Sequence, residues 1–366
     1  MFLVVAMLAC SSSNEADVVV SPPAWVAPDQ VGPYAVGATT RMFTDKRGIE
    51  LTMEIWYPAR DPNTEPDRYP ELPIVGQAHR DADVDHRGGP YPLVAFSHGF
   101  GGIRYQSSFL TEHLASHGFV VVSPDHPNNT LLDLDDSMTV DVMLNRPADV
   151  AEAVDAFMAL VESDDGLAGL VDDDAYAMVG HSFGGFTSLV LGGGQLDLRY
   201  GVAFCESNAI AGCFFMDGLD VDTSVVPEAD PRVQLIVPLT PGGWYAFGED
   251  GIGLEQTVPS LVLAGDRDTE LPYNQEAVPI MNALASPSIG VTLHGAGHWG
   301  FSDLCAFIPL DDCAGEDKGY MDPIRAQSIT RTMVTAAVGD AMTGNADYRA
   351  WLDPDVWGED VSVTTR

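Results

Sequence analysis

Positive charge is scarce in this chain. Its 366 residues include 17 Lys plus Arg against 54 Asp plus Glu, a net charge of −37. So acidic a surface repels the phosphates of nucleic acid and the headgroups of anionic membranes, which argues against both as partners. Long apolar runs are also missing: the one at residues 2–9 spans eight residues, against the roughly 20 that a bilayer-spanning helix needs. Cysteine is sparse, at five, and no C-x-x-C spacing occurs, which argues against a zinc site. The acidic runs 133–136 and 172–174 lack the spaced ligands and the glycine of a calcium loop, and read as solvated faces. No metal and no cofactor is expected. There is no internal repeat and no low-complexity tract beyond a Ser-, Pro- and Ala-rich stretch at 11–33.

What is present begins with 46% hydrophobic residues, enough for a large core. Residues 1–10, MFLVVAMLAC, read as a secretory signal. Its end, Leu8-Ala9-Cys10, resembles a bacterial lipoprotein signal with Cys10 as the lipidated residue; a plain signal peptide is the alternative. Residues 11–33 read as a tether, 34–345 as a catalytic domain and 346–366 as a C-terminal tail. The expected location is outside the cell membrane or in the periplasm, as a lipoprotein or a secreted protein. Its only expected hold on a membrane is a lipid at Cys10, and a monomer is expected. The other four cysteines, Cys205, Cys213, Cys305 and Cys313, form two pairs with the same spacing. Three connectivities are open. Pairing 205 with 213 and 305 with 313 is favoured, since short loops close at little entropic cost. Reduced core thiols are the rival, less suited to an exported protein.

Strand and helix signals alternate from residue 36 on. Two β-branched strands, 36–45 and 49–58, flank the turn DKRG, and a charged, proline-bearing loop follows. PLVAFSH (92–98), FVVVSPD (119–125) and AYAMVG (175–180) are continuous apolar runs, as buried parallel strands should be. A helix is expected over 104–117. Another is expected from Pro147, which suits a first helical turn. Val150, Val154, Phe157 and Val161 form its apolar face. Strands are expected at 232–239, 260–265 and 288–294. Helices are expected at 275–284, with Pro279 marking a kink or late start, and at 323–342. Such alternation implies crossover connections and a mostly parallel sheet, with ligands bound beyond the carboxyl ends of its strands.

One turn carries chemistry. Gly180-His181-Ser182-Phe183-Gly184 fits G-x-S-x-G between an apolar strand and a helix, the context of a nucleophile elbow. The glycines let strand and helix crowd together while the serine hydroxyl points out of the sheet. A serine nucleophile needs a base, and the base an orienting acid. Only His294 and His298 follow Ser182 among the nine histidines. His294 ends a strand, while His298 sits in the glycine-rich loop beyond it and is the chosen base. The loop LVLAGDRDTELP offers Asp268, chosen as the acid, with Asp266 as its rival. Two backbone N–H donors are expected to hold the oxyanion, from Phe183 and from Phe100 in SHGFGG. His98 is expected to brace that loop and His126 to fix the next turn, neither carrying protons.

These segments carry a resemblance. FSHGFGG, LASHGFVVVSPDHPNNT, RPADV, VGHSFGG, AGDRDTELP and GAGHWGF resemble the α/β-hydrolases of the platelet-activating-factor acetylhydrolase and predicted dienelactone hydrolase group, over about 93–301. The resemblance implies an α/β-hydrolase fold, with a mostly parallel eight-stranded sheet and helices on both faces. A small insert, 195–231, lies between the nucleophile helix and the sixth strand. It also implies a Ser–Asp–His triad with the acid on the last Asp of GDRD, ester hydrolysis and no cofactor. True dienelactone hydrolases use a cysteine nucleophile where this chain has Ser182. The stretch around Trp244 is similar to cutinase-type polyester hydrolases, in which the matching tryptophan walls the acyl cleft. Trp244 and Trp299 are the cleft candidates, and a core role is equally open for Trp244. The insert reads as a lid or as a stapled structural element. The expected function is an exported serine carboxylic-ester hydrolase acting on short-chain acyl or acetyl esters. A polyester hydrolase or lipase is the alternative, and an inactive surface-binding lipoprotein on the same scaffold is another.

Overall fold

A computed structural model describes residues 21–366 except 63, 67, 70–72, 164–165 and 209. The signal segment 1–10 with Cys10, and the first half of the tether, lie outside the described residues.

The chain builds one ten-stranded mixed sheet. Its strands are β1 (Ala35–Thr44), β2 (Glu50–Ala59), β3 (His79–Arg80), β4 (Leu93–Ser97), β5 (Val120–Pro124), β6 (Tyr176–His181), β7 (Val233–Leu239), β8 (Ser260–Gly265), β9 (Ser288–Leu293) and β10 (Val361–Thr365). They lie in the order β10-β9-β8-β7-β6-β4-β5-β2-β1-β3. The run from β5 through β4 to β9 is parallel, while β1–β2, β2–β5 and β9–β10 are antiparallel. Every residue of β4, β5, β6 and β8 is buried, which is why these strands read as unbroken apolar runs.

Helices cover both faces: α1 (Ser108–Ser116), α2 (Thr139–Ser163), α3 (Phe183–Leu191), α4 (Leu198–Ser207), α5 (Ala277–Ala283) and α6 (Pro323–Thr343). Successive strand residues point to opposite faces and so divide between two cores. Val120, Val122 and Met178 join Val154, Phe157 and Leu189 from α2 and α3. Val121 and Val179 join Leu110, Leu114, Ile329 and Met333 from α1 and α6. Among the described residues no helix is long and apolar enough to cross a membrane.

Two expectations are corrected. The sheet has ten strands, not eight: the two-residue β3 joins one edge, and β10 joins the other from within the expected tail. The alternating Val-Ser-Val-Thr-Thr of β10 covers what would be a bare edge of β9. Helix α2 starts at Thr139, so Pro147 lies inside it rather than in its first turn. The hydrogen bond lost at Pro147 is offset by burial of Val142 and Met143 in the added turns. The second half of the tether is strapped to α1: the carbonyls of Pro28 and Gln30 accept from the His113 and His117 rings at 2.9 Å each.

Candidate active site

Ser182 occupies the turn between β6 and α3. Its backbone, at φ 56° and ψ −115°, lies in a region that L side chains rarely adopt. The flanking glycines make this turn possible. A Cβ on Gly180 would come within 2.0 Å of the Gly184 carbonyl oxygen, and one on Gly184 within 1.9 Å of the Ser97 carbonyl oxygen. The Ser182 N–H donates to the Leu239 carbonyl (2.8 Å), tying the turn to β7.

The loops after β8 and β9 bring Asp268 to His298. The His298 Nδ1 lies 2.7 Å from Asp268 Oδ2, and both side chains are almost wholly buried. Asp268 is held in turn by the Thr240 hydroxyl, which donates to Oδ2, and by the N–H groups of Glu270 and Leu271, which donate to Oδ1 at 2.9 and 2.8 Å. Burial disfavours both charges. The mutual attraction outweighs it, so the imidazole is held above its ordinary 6.5 and the carboxyl below its ordinary 3.8. The rival acid goes elsewhere: Asp266 Oδ2 lies 2.8 Å from the His294 Nδ1, on the exposed side of the same loops. The two Asp–His pairs are thus sorted by geometry.

Ser182 and His298 line one cleft of about 340 Å³, together with Phe100, Phe214, Leu271 and Trp299. No direct hydrogen bond joins the Ser182 hydroxyl to His298 among the described residues. In unliganded sites such bonds are often long and tighten only around substrate. The N–H groups of Phe100 and Phe183 flank the serine and donate to no protein acceptor among the described residues. Phe183 is the first residue of α3, where backbone N–H groups are free by construction and favour negative charge. Beside the serine an apolar crease with room for only about 10 Å³ runs between Phe183, Phe186, Phe215, Met216 and Tyr245.

Both disulfides lie close to the site. Cys205–Cys213 (Cα–Cα 5.4 Å) ties α4 to the turn that carries Phe214 and Phe215. Phe215 stacks on Phe183 at 4.0 Å between ring centroids, and Phe214 meets Phe100 edge-on at 5.2 Å. The insert therefore forms one wall of the cleft. Cys305–Cys313 lies next to Asp312, whose Oδ2 accepts from the Trp299 N–H at 2.8 Å and so pins the loop of His298. Trp299 lines the cleft, whereas Trp244 does not. The Trp244 indole donates to the Gln275 carbonyl (2.8 Å) and packs against Phe204 at 5.0 Å, in the insert's own packing.

Three further histidines near the site, His98, His126 and His181, serve the scaffold. The buried His98 Nδ1 donates to the Gly99 carbonyl (2.7 Å), and its Nε2 accepts from the His126 N–H (3.2 Å). His126 bridges Ser97 and Asp149 at 2.9 Å each. His181 is pushed down to about 3 by burial and the nearby His298. Two residues of this region escaped sequence reasoning. Gln106 accepts from the Gly99 N–H (3.0 Å) and donates to the His181 Nδ1 (2.9 Å), clamping the Phe100 loop to the end of β6. Arg146 is fully buried beneath the same loop. A glutamine in the turn just before α1 carries no periodic or motif signal. The arginine of RPADV lay in a segment that marks the resemblance.

The architecture is of the α/β-hydrolase type. Within that class the chain resembles ester hydrolases of three kinds. Residues 74–133, which include β4 and the Phe100 loop but not Ser182, match the model of platelet-activating factor acetylhydrolase, isoform II. Cutinase est1 of Thermobifida alba is 27% identical over 196 residues, covering 54% of this chain and 49% of that protein. Cutinase cut1 of Thermobifida fusca is 28% identical over 218 residues, 57% of this chain and 50% of that one. Chlorophyllase-1, chloroplastic, of Citrus unshiu is 32% identical over 191 residues, 51% and 50% of the two chains. The chain spans about half the length of the curated relatives it matches.

Proposed function

We propose that this protein is an exported serine hydrolase of carboxylic esters. The observation that carries the reading is one cleft shared by a strained serine, an Asp-paired buried histidine and the Phe100 loop, with the serine at the N-terminus of α3. In this mechanism the Ser182 Oγ attacks the ester carbonyl carbon and His298 Nε2 takes its proton. Asp268 accepts from His298 Nδ1–H, fixes the ring's tautomer and stabilises the imidazolium. The carbonyl oxygen, now an oxyanion, is held by the N–H groups of Phe100 and Phe183. As the C–O bond breaks, the imidazolium returns its proton to the leaving alkoxide. Water then gives a proton to His298, adds to the acyl-enzyme and releases the acid, regenerating Ser182.

The narrow crease beside Ser182, walled by Phe215 and Met216, favours a short acyl group such as acetyl. The relatives named cutinase, and the exposed Leu131, Leu132 and Phe214, favour a second substrate, a polyester surface. Two disulfides favour an oxidising location, in keeping with export.

Ser182→Ala should lower turnover of p-nitrophenyl acetate by about 10⁴–10⁶-fold and abolish labelling by a fluorophosphonate. Retained turnover would refute the reading. A folded wild-type protein that takes no label would point to a binding scaffold instead. A panel from acetyl to dodecanoyl esters, with a polyester film alongside, identifies the substrate. Activity falling steeply beyond butyryl supports the short-acyl reading, and film hydrolysis supports the second.

A further inference from the structure

Helix α2 carries one side chain into the site from below. Arg146 is wholly buried, and each arm of its guanidinium reaches a different element. Nη2 donates to the His98 carbonyl, directly before Gly99 and Phe100, and to the Ser97 hydroxyl at 3.1 Å. Nη1 donates to Asn129 Oδ1 at 2.7 Å, in the loop after β5. Nε donates to the Thr187 hydroxyl at 3.3 Å, on the nucleophile helix α3. The guanidinium carbon also lies 4.6 Å from the centre of the Phe183 ring. One planar cation thus touches both the loop of Phe100, through the His98 carbonyl, and the turn of Phe183, through its ring.

Resting on the proposed ester hydrolysis, we propose that Arg146 is the positioning residue of the oxyanion site, holding the Phe100 and Phe183 N–H groups in register and lending them positive potential. A planar fork donates from three separate nitrogens, Nε, Nη1 and Nη2, a spread that the single nitrogen of a lysine cannot supply. Burial lowers its pKa to about 9, so it stays charged at neutral pH. Among the described residues the charge that acts on it is the Asp149 carboxylate, which is already bonded to His126 and paired with Arg47. Positive potential beneath the loop is therefore only partly cancelled, and in a water-poor interior it acts on the charge that develops during acyl transfer.

The test compares Arg146→Met and Arg146→Lys with the full-length wild type. The measurements are p-nitrophenyl acetate kinetics and inhibition by a trifluoromethyl ketone, which forms an oxyanion on the serine. Arg146→Met should lower kcat about 10²-fold, on the scale of losing one oxyanion donor, with KM within about threefold. Its affinity for the ketone should fall by a similar factor. Arg146→Lys, which keeps charge without the fork, should recover about tenfold of both. A merely structural arginine would weaken folding without this parallel loss, so unchanged kcat, or a kcat loss with ketone affinity intact, overturns the proposal. If Arg146→Met does not fold, Thr187→Val removes the Nε acceptor together with the bond that the same hydroxyl donates to the Phe183 carbonyl (3.0 Å), the link between the guanidinium and the Phe183 turn. It should cost about threefold in kcat and in ketone affinity alike, and no change in either overturns the proposal. Ser182→Ala separates the two levels. If it retains turnover, the hydrolase reading itself fails. If it is dead while Arg146→Met matches wild type, only the role of Arg146 fails.

Discussion

At the scale of single residues, the buried Asp268–His298 pair sets the pH behaviour. The proposed base works only when its imidazole is neutral, and Asp268 holds the imidazole above 6.5. The plot of kcat/KM against pH should therefore rise to a plateau with its midpoint above 6.5. Asp268→Asn should cost about 10⁴-fold in kcat and move that midpoint down, because the anion that favours imidazolium is gone. The pair also affects stability. The depressed Asp268 contributes stability above 3.8 that is lost as pH falls through its folded value. The raised His298 contributes stability below 6.5 that is lost as pH rises through its folded value. The Tm gap between wild type and Asp268→Asn should thus be widest between those limits and close on either side. A gap that stays constant from pH 3 to 9 would contradict the coupling.

At the scale of elements, the insert with α4 and the Cys205–Cys213 staple is the part whose contribution is local. It closes a short loop of eight-residue separation, and the chain-entropy relation gives such a crosslink about 2–3 kcal/mol. Replacing both cysteines by serine should therefore loosen this wall first. Amides of 198–216 should exchange faster while those of β4, β6 and β8 keep their protection. With Phe215 freed from its stack on Phe183, the acyl crease should widen and the chain-length preference shift toward longer esters. Elements also show how far sequence reading reaches. The strands β4, β5 and β6 were legible because both of their faces are buried, which leaves an unbroken apolar string. The start of α2 was not, because Pro147 mimics a first turn and only packing of Val142 and Met143 reveals the earlier one. The strand β10 was missed because a five-residue β-branched stretch becomes a strand only when an open edge, here β9, awaits it.

At the scale of the whole molecule, negative charge dominates, at a net −37. Self-repulsion of this size opposes compactness, and salt screens it. Four buried acids add to the effect: burial raises Glu112, pushes Asp149 up to about 6, and pushes Glu276 and Asp303 furthest, up to about 7 each. All four keep their protons in the folded state at pH values where the unfolded chain has lost them. Stability should therefore fall as pH rises from about 4.5 to 7.5. Two remedies should restore it: added salt, through the exposed charge, and the double variant Glu276→Gln/Asp303→Asn, through the two acids raised furthest. Thermal melts of both proteins across that range, at low salt and at 1 M salt, check this. A double variant with the wild-type slope would contradict the assignment to these two groups.

The order of residues alone determined the local devices: buried strands from their apolar runs, and a serine set in a sharp turn by the glycines that let β6 and α3 cross. Each depends on neighbours a few positions away, so spacing is sufficient to read it. Tertiary structure alone decided that Asp268 faces His298 while Asp266 faces His294, that Gln106 clamps the Phe100 loop, and that the Arg146 guanidinium lies beneath it. Those partners sit on strand ends and helices far apart along the chain. Which of them meet depends on strand order and register, and no sequence spacing encodes the ångström distances between loops that only the folded sheet brings together.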